Sequence, residues 1–506
     1  MGFSFVYASA YVGFKAVPVR VETDISNGLP RFTVVGLPDT VVSESRERVR
    51  SAIKNSGLEF PRTAITVNLA PADVRKQGPM YDLAMAVSII AAEDDSLDSA
   101  ITASSLFLGE LALDGSLRPV HGVLLSALMA KAHGYQQLFV AEGNAAEAAL
   151  VQGLRVFPAK TLTEVVLHVQ NKKLLNQQTQ TRYLAETPTS DDMQYIVGQE
   201  QVKRALEVAA AGNHNILMYG PPGSGKTMLA KALPSLLPPL RFDDMLEITA
   251  IHSVAGRLQE SGSVMTTRPF RTPHHTASGI ALVGGGAWAK PGEISLAHHG
   301  VLFLDEFPEF SRHVLENLRQ PLEDGVVTVS RAAGTYEYPA RFMLVAAMNP
   351  CPCGFKNDPQ RRCLCTPVQI QRYQQKISGP LLDRIDIVIE VPRVNVDKLT
   401  TATFSESSVT IATRVQAARE IQNARYEHTG MSTNAELKSH WLREFCSLPD
   451  DGLELMKQAT QRLNLSARAY TRVLKVARTI ADLAGATNIT QTHLAEALQY
   501  RPRTSA

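Results

Sequence analysis

Residues 220–227 read Gly-Pro-Pro-Gly-Ser-Gly-Lys-Thr, which completes the pattern G-x-x-x-x-G-K-T. The glycines let the backbone curl so that successive N–H groups point at a single anion. Lys226 can reach the β- and γ-phosphates of a nucleotide, and Thr227 can offer its hydroxyl to Mg²⁺. The flanking chain fits, because 215–219 predicts a short buried strand and 228–233 begins a helix that faces the phosphates. A glycine-rich turn without a ligand is the alternative. The predicted ATP contacts are Gly220, Pro221, Pro222, Gly223, Ser224, Gly225, Lys226, Thr227 and Met228.

The composition limits what else the chain can be. Its 506 residues suffice for about three domains of ~150 residues each. With 44% hydrophobic and 20% charged residues, it has the balance of a globular protein with hydrophobic cores. A net charge of +2 means that any nucleic-acid contact must come from local patches. No apolar run reaches the roughly 18 residues of a membrane-spanning helix, and the N-terminus lacks a basic signal-peptide region, so we expect a cytoplasmic protein.

The N-terminal third of the chain alternates strand-like and helical segments. The pattern predicts strands at 31–35 and 64–69, helices at 39–56 and 80–92, and a hairpin that opens at 106–111. The polar stretch 171–192 follows without any apolar period, and it predicts a linker.

Two segments of this N-terminal part resemble the proteolytic domain of Lon proteases, namely 76–82 (KQGPMYD) and 109–115 (GELALDG). In that family the nucleophilic serine follows the Gly-Pro of the first segment, where this chain has Met80. The lysine base lies in the helix after the second segment, where 123–129 contains no lysine. A serine–lysine dyad needs both groups. The resemblance therefore implies a Lon-like α+β domain, residues 1–170, without peptidase activity; an unrelated α+β domain is the alternative.

Downstream of the phosphate loop, residues 301–306 (VLFLDE) predict an apolar strand that ends in two acids. Asp305 is expected to hold Mg²⁺, directly or through water, and Glu306 to polarise the attacking water. A further buried strand is predicted just before Asn349, whose side chain can orient the same water; an Asn-Pro turn is the alternative. Phosphoryl transfer needs little covalent help, so positioning and charge neutralisation carry most of the rate.

Residues 193–506 resemble the magnesium-chelatase-like branch of the AAA+ ATPases, and the match to the ComM/YifB competence-related family covers nearly the whole chain. The segments that carry it are 197–200, the phosphate loop, 268–275, 292–298, the strand ending in Asp305 and Glu306, 338–342 and 474–482. The resemblance implies a hexameric, ATP-driven DNA helicase that promotes branch migration while incoming DNA is integrated in natural transformation. It also implies an α/β fold, with an AAA+ P-loop core at 193–395 and a C-terminal helical lid at 396–506.

The family resemblance assigns roles to three further side chains. Asn349 matches the first sensor of AAA+ ATPases, and Arg468 at the start of an amphipathic helix matches a second sensor that touches the γ-phosphate. Arg384 lies between Asp383 and Asp386 and is the candidate arginine finger, which would complete a neighbouring subunit's site and so implies a ring. A local ion pair between Arg384 and either acid is the competing interpretation.

Two segments are predicted to face DNA, because a translocating ring needs cations that contact phosphates. The first is 256–292, between the phosphate loop and the strand of Asp305, and the second is a predicted hairpin at 326–338. The candidate DNA contacts are Arg268, Arg271, Lys290 and Arg331. Structural contacts within the loops, or contacts to a neighbouring subunit, are the alternative for both segments. His274 and His275 are expected to pack or to contact phosphate, since no third metal ligand lies nearby.

Four of the five cysteines fall in two C-x-C pairs, Cys351 with Cys353 and Cys363 with Cys365. Four thiolates are enough for a tetrahedral zinc site, and a set of free thiols is the alternative. Cys446 stands alone in a predicted helix and is expected to serve in packing.

The leading hypothesis is a DNA-translocating homo-hexamer that uses ATP and Mg²⁺ and binds single-stranded or branched DNA, with no membrane partner. A chelatase-like or protein-remodelling ATPase is the second hypothesis, weakened because no chelatase-type metal-binding partner domain is fused to this chain. An active Lon-like protease is the third, and the methionine at position 80 and the missing lysine oppose it.

Overall fold

The computed structural model describes residues 2–94, 96–180, 183, 191–258, 264–286, 290–331, 334–356, 358, 360–393 and 405–501. Three regions discussed above lie partly outside these residues, namely the linker at 171–192, the basic segment at 256–292 and the predicted hairpin at 326–338. The boundary between core and lid at 395–396 lies wholly outside them. The side chain of Arg331 also lies outside them, although its backbone is described.

Within the described part of the N-terminal third, seven strands form one mixed sheet. In spatial order the strands are Arg31–Val35, Ala64–Ala70, Lys15–Ser26, Gly2–Val12, Ser105–Leu108, Gln137–Ala141 and Arg155–Ala159. Lys15–Ser26 runs antiparallel to both of its neighbours, and the other neighbouring strands are parallel. A short hairpin pairs Glu110–Leu111 with Leu117–Arg118.

Helices cover this sheet. The α-helices are Thr40–Asn55, Asp82–Glu93, Ser99–Ser104, Val123–Ala132, Ala145–Ala148 and Leu162–Val169, and 3₁₀ turns lie at Pro79–Tyr81 and Glu142–Asn144. Asp82–Glu93 is apolar on nearly all sides because it is buried against the two longest strands. On the neighbouring strands Ser105–Leu108 and Gln137–Ala141, the rings of Phe107 and Phe139 stack with their centroids 4.9 Å apart.

A second sheet, of five parallel strands among the described residues, forms the core of the following part of the chain. In spatial order its strands are Phe270–Arg271, Val301–Leu304, Met343–Met348, Ile216–Tyr219 and Ile387–Glu390. Val301–Leu304 and Met343–Met348 are buried along their whole length, as expected for parallel strands that helices cover on both faces. Since all five strands point the same way, the loops that follow them meet at one edge of the sheet.

Short helices and two strand pairs surround this sheet. The α-helices are Glu200–Gly212, Lys226–Ala232, Phe242–Val254, Gly279–Val283, Glu293–Leu296, Arg312–Glu316, Arg319–Asp324, Pro367–Gln374 and Gly379–Leu382. The 3₁₀ turns are Met193–Tyr195, Leu233–Leu236 and Phe307–Glu309. The strand pairs are Gly284–Gly285 with Lys290–Pro291, and Val326–Arg331 with Gly334–Pro339.

The C-terminal part is helical throughout its described residues. Its α-helices are Ser408–Tyr426, Leu442–Phe445, Asp450–Leu463, Ala467–Leu483 and Gln491–Gln499, with a 3₁₀ turn at Asn434–Glu436. The helices of 408–426 and 467–483 both pack against Glu200–Gly212 of the core. Inside this bundle Asp482 is fully buried and accepts hydrogen bonds from Arg425, Arg478 and Asn434, so its charge is compensated within the fold.

The N-terminal part packs directly on the helix Phe242–Val254 of the central part. Ser253 Oγ donates to Glu147 Oε2 at 2.8 Å and accepts from the backbone N–H of Gly122 at 2.9 Å. Met245 and Ile248 of the same helix belong to the hydrophobic core of the N-terminal sheet. The two parts therefore share a core.

The fold class expected from the sequence is confirmed as a mixed α/β fold with a parallel-sheet core and a C-terminal helical region. The helix expected at 39–56 spans Thr40–Asn55, and Asp39 caps it by accepting from the backbone N–H of Val42 at 2.7 Å. The helix expected at 80–92 begins two residues later, at Asp82, because the chain first makes a 3₁₀ turn after Pro79. In the described ranges, none of the helices has the length and apolar character needed to cross a membrane.

Candidate nucleotide-binding site

The phosphate loop has the backbone conformation that its glycines were expected to permit. Gly223 and Gly225 have φ angles of +75° and +90°, in the left-handed region that favours glycine. Gly220 faces a different constraint, since a Cβ atom there would lie 2.1 Å from the carbonyl oxygen of Val391. The helix Lys226–Ala232 starts directly at the end of the loop, so its unpaired N–H groups face the same space.

Lys226 is held inside this loop. Its Nζ donates to the carbonyl oxygens of Gly220 and Pro221 at 2.8 and 2.9 Å, and to Asn349 Oδ1 at 3.3 Å. Burial lowers the pKa of Lys226, and the nearby carboxylate of Asp305 opposes that shift. The Lys226 ammonium group and the Asn349 side-chain amide therefore lie next to each other at the carboxyl end of the sheet.

Asp305 and Glu306, the two acids after the strand Val301–Leu304, lie near the Thr227 end of the phosphate loop. Thr227 Oγ1 donates to Asp305 Oδ2 at 2.9 Å, so both residues expected to hold Mg²⁺ are already in contact. Glu306 follows in a left-handed conformation, with φ of +51°, and its backbone N–H donates to Asp305 Oδ1 at 2.9 Å. Such a conformation costs roughly 1–2 kcal/mol for a residue with a Cβ atom. Backbone strain of this kind is concentrated at functional sites.

His275 contacts Glu306, which the sequence did not reveal. Its Nδ1 lies 3.1 Å from Glu306 Oε2, and its ring lies 4.1 Å from that of His274 and edge-on to Phe310. His275 follows the strand Phe270–Arg271, which pairs with the strand that ends before Asp305. The pairing of these two strands brings a histidine from one loop to a carboxylate on the next. The histidine pair was visible in the sequence, but its partner depends on the strand order.

Arg384 lies just after the helix Gly379–Leu382, outside the cluster around Lys226. Its guanidinium donates to the carboxylate of Glu323 and to the carbonyl oxygen of Pro380. A local ion pair therefore exists, but its acid is Glu323 and not Asp383 or Asp386, the two acids beside Arg384 in the sequence.

Asp386 pairs with the C-terminal helices instead. Burial alone would raise the pKa of Asp386, but Arg472 and His214 hold it below its ordinary value. Arg472 belongs to the helix Ala467–Leu483, so this ion pair joins the helical part to the last strand of the sheet. Arg468, the expected second sensor, lies exposed in the first turn of the same helix.

Two of the four cations expected to contact DNA are engaged inside the fold. Arg268 donates to the carbonyl oxygens of Pro238 and His299 at 2.7 and 2.5 Å, and burial lowers its pKa to about 10. Arg271 makes a two-point ion pair with Glu293, at 2.6 and 2.9 Å. These contacts hold both arginines against the segment around the sheet edge, and their assignment as DNA contacts stays a prediction.

The other two cations remain candidates for DNA contact. Lys290 is exposed at the strand pair Gly284–Gly285 with Lys290–Pro291, and Arg331 stands at the end of the hairpin strand Val326–Arg331.

The four clustered cysteines converge as a zinc site requires. Four thiolates about 2.3 Å from one zinc ion stand about 3.8 Å from each other. The Sγ atom of Cys351 lies 3.4 Å from that of Cys353 and 3.7 Å from that of Cys363, and Cys353 and Cys363 are 3.6 Å apart. Cys365 completes a group whose ligand atoms all lie within 4.8 Å of one another. The donor set and its spacing both fit a tetrahedral zinc ion.

Glu247, His298 and His299 form another compact group of potential metal ligands among the described residues. The backbone N–H of Arg341 donates to Nδ1 of His298 at 3.0 Å, so the proton of this neutral imidazole lies on Nε2. That nitrogen donates to Glu247 at 2.8 Å, and burial lowers the pKa of His298 to about 4. Because Nε2 has no free lone pair, this group is a hydrogen-bonded cluster and not a metal site.

The two segments that resemble Lon proteases contact each other in the N-terminal part. Asp82 of the first segment is buried, pairs with Arg48 at 2.8 Å and accepts from the backbone N–H of Leu111 in the second. Burial raises the pKa of Asp82, and the hydrogen bond from Arg48 opposes that shift. Met80, at the position of the Lon nucleophile, is buried, and Ser126 Oγ hydrogen-bonds the hydroxyls of Ser9 and Tyr11. These contacts make the segments part of the hydrophobic core.

A phosphate loop, two acids and an asparagine at the carboxyl edge of a five-stranded parallel sheet define a magnesium-chelatase-like AAA+ protein. Comparison with protein families agrees, because the family described as magnesium chelatase, subunit ChlI, matches residues 192–399. The family of subunit ChlI of Mg-chelatase matches 21–144, and that of the ChlI C-terminal region matches 405–501.

Comparison with individual proteins gives matches over nearly the whole chain. It is 46% identical to the uncharacterized protein YifB of Salmonella typhimurium strain LT2, over 99% of this chain and 97% of that protein. The same identity and coverage relate it to YifB of Escherichia coli strain K12. It is also 46% identical to the competence protein ComM of Haemophilus influenzae, over 99% of this chain and 98% of that protein. The chain belongs to the ComM/YifB family.

Proposed function

We propose that this chain is an ATP-driven DNA translocase that works as a hexameric ring and promotes branch migration while incoming DNA is integrated in natural transformation. The observation that carries the proposal is the gathering of Lys226, Thr227, Asp305, Glu306 and Asn349 at one edge of the parallel sheet. The similarity to a competence protein along the entire chain supports the biological process.

In the proposed reaction the phosphate loop and Lys226 bind the nucleotide phosphates, and Thr227 and Asp305 hold Mg²⁺. A Mg²⁺ ion bound there would neutralise negative charge on the transferred phosphoryl group. Glu306 polarises the attacking water, and Asn349, within reach of the Lys226 ammonium, orients it. These side chains supply positioning and charge, which are the main contributions that phosphoryl transfer needs.

Arg384 is the residue that links the proposed ring to ATP hydrolysis. Its partner Glu323 is more than half exposed, and an ion pair of that kind contributes only about 0–1 kcal/mol. The guanidinium can therefore leave Glu323 for the nucleotide of a neighbouring subunit, where it would stabilise the negative charge of the transition state. Lys290 and Arg331 are the side chains proposed to meet DNA phosphates.

The test is ATP turnover by the purified full chain with and without single-stranded or forked DNA. We expect DNA to stimulate turnover, Lys226→Ala to abolish nucleotide binding, and Glu306→Gln to keep binding but lose hydrolysis. On a three-strand substrate the wild-type chain is expected to move the branch point only while ATP is hydrolysed. ATP turnover that DNA leaves unchanged would contradict the proposal.

A chelatase-like or protein-remodelling ATPase is the second candidate, and the matches to three magnesium chelatase family descriptions favour it over unrelated activities. The same assay separates the two candidates. Turnover that a folded protein substrate stimulates, and that DNA does not, would support the second candidate.

A further inference from the structure

The four-cysteine cluster lies against the nucleotide-binding site. Cys351 follows Asn349 after a single residue and is fully buried, so the first ligand of the cluster directly extends the loop of the first sensor. We name the described residues between Cys351 and Cys365, which are 351–356, 358 and 360–365, the cysteine knuckle. The two C-x-C pairs contact each other, so the knuckle doubles back and lies next to the end of the strand before Asn349.

The knuckle also touches the phosphate loop. Gly354 has a φ of +82°, and its N–H donates to the carbonyl oxygen of Cys351 at 2.9 Å, which forms a tight turn. A Cβ atom at Gly354 would lie 2.6 Å from Cδ of Pro222 and 3.8 Å from Cγ of Asn349. Backbone of the knuckle therefore packs on a phosphate-loop proline and, close by, on the sensor side chain.

A second contact with Asn349 comes from the chain that follows the other end of the knuckle. The helix Pro367–Gln374 begins just after Cys365 and carries Tyr373, which is buried. Burial raises the pKa of Tyr373 to about 12, and the nearby backbone N–H of Asn349 opposes that shift. Asn349 is thus held from Cys351 on one side and from Tyr373 on the other.

Besides the sulfur cluster, Arg393 anchors the described part of the knuckle from outside, because it pairs with Asp358 at 2.9 Å, hydrogen-bonds Gln360 at 3.3 Å and lies over the ring of Phe355. Between Met348 and Pro367 the described residues form neither helix nor strand, and Leu364 within this stretch is 85% exposed. Loops of this length without regular structure are uncommon in compact domains, and they need another source of order. A structural zinc ion supplies such order, since its binding free energy becomes folding free energy.

Arg372 and Lys376 line the same cavity as Cys353 and Cys365. A bound zinc ion takes cysteine as the thiolate, so its binding would release the thiol protons. Zinc takes four such ligands in a tetrahedral arrangement.

We propose that the cysteine knuckle is a zinc site that holds Asn349 and Pro222 in their places, so that nucleotide binding depends on the metal. The inference rests on the proposed ATPase function. Zinc takes no part in the reaction and acts by positioning the phosphate loop and the first sensor. Removal of the ion frees the knuckle, and the contacts of Gly354 with Pro222 and of Tyr373 with Asn349 are lost.

The experiment measures zinc content and the affinity for a fluorescent ATP analogue in the reduced full chain. We expect one zinc per chain, a loss of affinity of about tenfold or more when a mercurial and a chelator remove the zinc, and recovery when Zn²⁺ alone is restored after reduction. Cys363→Ser should reproduce the loss. Cys446→Ser should not, because Cys446 is the one cysteine outside the knuckle.

A second variant separates the coupling from any general loss of folding. Gly354→Ala keeps all four thiolates but places a methyl group against Pro222, so zinc content should stay at one per chain while nucleotide affinity falls. Reduced protein that contains no zinc would overturn the metal site. Zinc-free protein, or Gly354→Ala, that binds nucleotide as tightly as the wild type would overturn the coupling. If the zinc-loaded wild type itself binds no nucleotide, the proposed function fails and the coupling fails with it.

Discussion

The contact between His275 and Glu306 predicts a specific defect in turnover. In the variant His275→Ala, Glu306 loses the imidazole whose Nδ1 lies 3.1 Å from its Oε2. Because His275 touches the proposed catalytic glutamate and Lys226 is held by other groups, hydrolysis should suffer while nucleotide binding is preserved. We therefore expect kcat to fall and the KM for ATP to stay nearly unchanged.

The magnitude follows from the exposure of the two side chains. His275 is 31% exposed and Glu306 is 57% exposed, so the contact lies between a buried charged hydrogen bond and a surface ion pair. These contribute about 1.5–3 kcal/mol and about 0.2–1 kcal/mol respectively, which places this contact near 1 kcal/mol. Since about 1.4 kcal/mol corresponds to a tenfold change in rate, we expect kcat to fall about fivefold.

The assay is steady-state ATP hydrolysis by the full chain at saturating DNA, with kcat and KM measured separately. His274→Ala is the matched control, because this neighbouring histidine is exposed and hydrogen-bonds Thr276 instead of Glu306. His275→Asn, which keeps an N–H donor near the same place, should recover part of the loss. An unchanged kcat in His275→Ala, or an equal loss in His274→Ala, would refute the positioning role of His275.

Three further predictions concern the ion pairs of Asp386 and Arg384. Arg472→Met leaves the buried carboxylate of Asp386 without its main partner, which should lower the free energy of unfolding by about 3–5 kcal/mol. The urea midpoint of unfolding should fall accordingly, and an unchanged midpoint would show that the pair is dispensable. The pKa of Asp386 is lower in the folded chain than its unfolded value of about 4, so its stabilisation is full above about pH 4 and is lost as the pH falls towards the folded pKa. When the free energy of unfolding is measured at a series of acidic pH values, it should fall in the wild type and fall by less in Arg472→Met. Arg384→Ala should bind ATP but not hydrolyse it. Mixing it with Lys226→Ala subunits should restore some ATP turnover, because a mixed ring contains sites in which an intact phosphate loop faces an intact arginine finger. Mixtures that stay inactive at every ratio would argue against a shared site.

Much of the nucleotide site could be predicted because its parts are continuous in sequence. The phosphate loop needs left-handed glycines, a strand before it and a helix after it, and all three lie within one short stretch. The strand before Asp305 and the strand before Asn349 are unbroken apolar runs, which are typical of a parallel sheet covered by helices on both faces. Their convergence then follows, since parallel strands end at a common edge.

The contacts that could not be predicted are those between segments far apart in the chain. Arg384 pairs with Glu323 and not with the acids beside it, because the helix of Gly379–Leu382 packs near another helix. Arg268 and Arg271 have the charge of DNA contacts, yet the fold turns both guanidiniums onto its own carbonyl and carboxylate groups. A sequence shows that a residue carries charge, but not which partner the fold places beside it.

By itself, the sequence predicted a nucleotide ligand and the α/β class, and it supplied the acids at the ends of strands and the four cysteines available for zinc. Each of these depends on local backbone conformation, on a run of apolar residues or on the chemistry of a short motif. The tertiary structure alone decided that His275 reaches Glu306 and that Gly354 packs on Pro222. Both depend on which strands pair and how a loop folds over the sheet edge, and those arrangements result from long-range packing that no local pattern encodes.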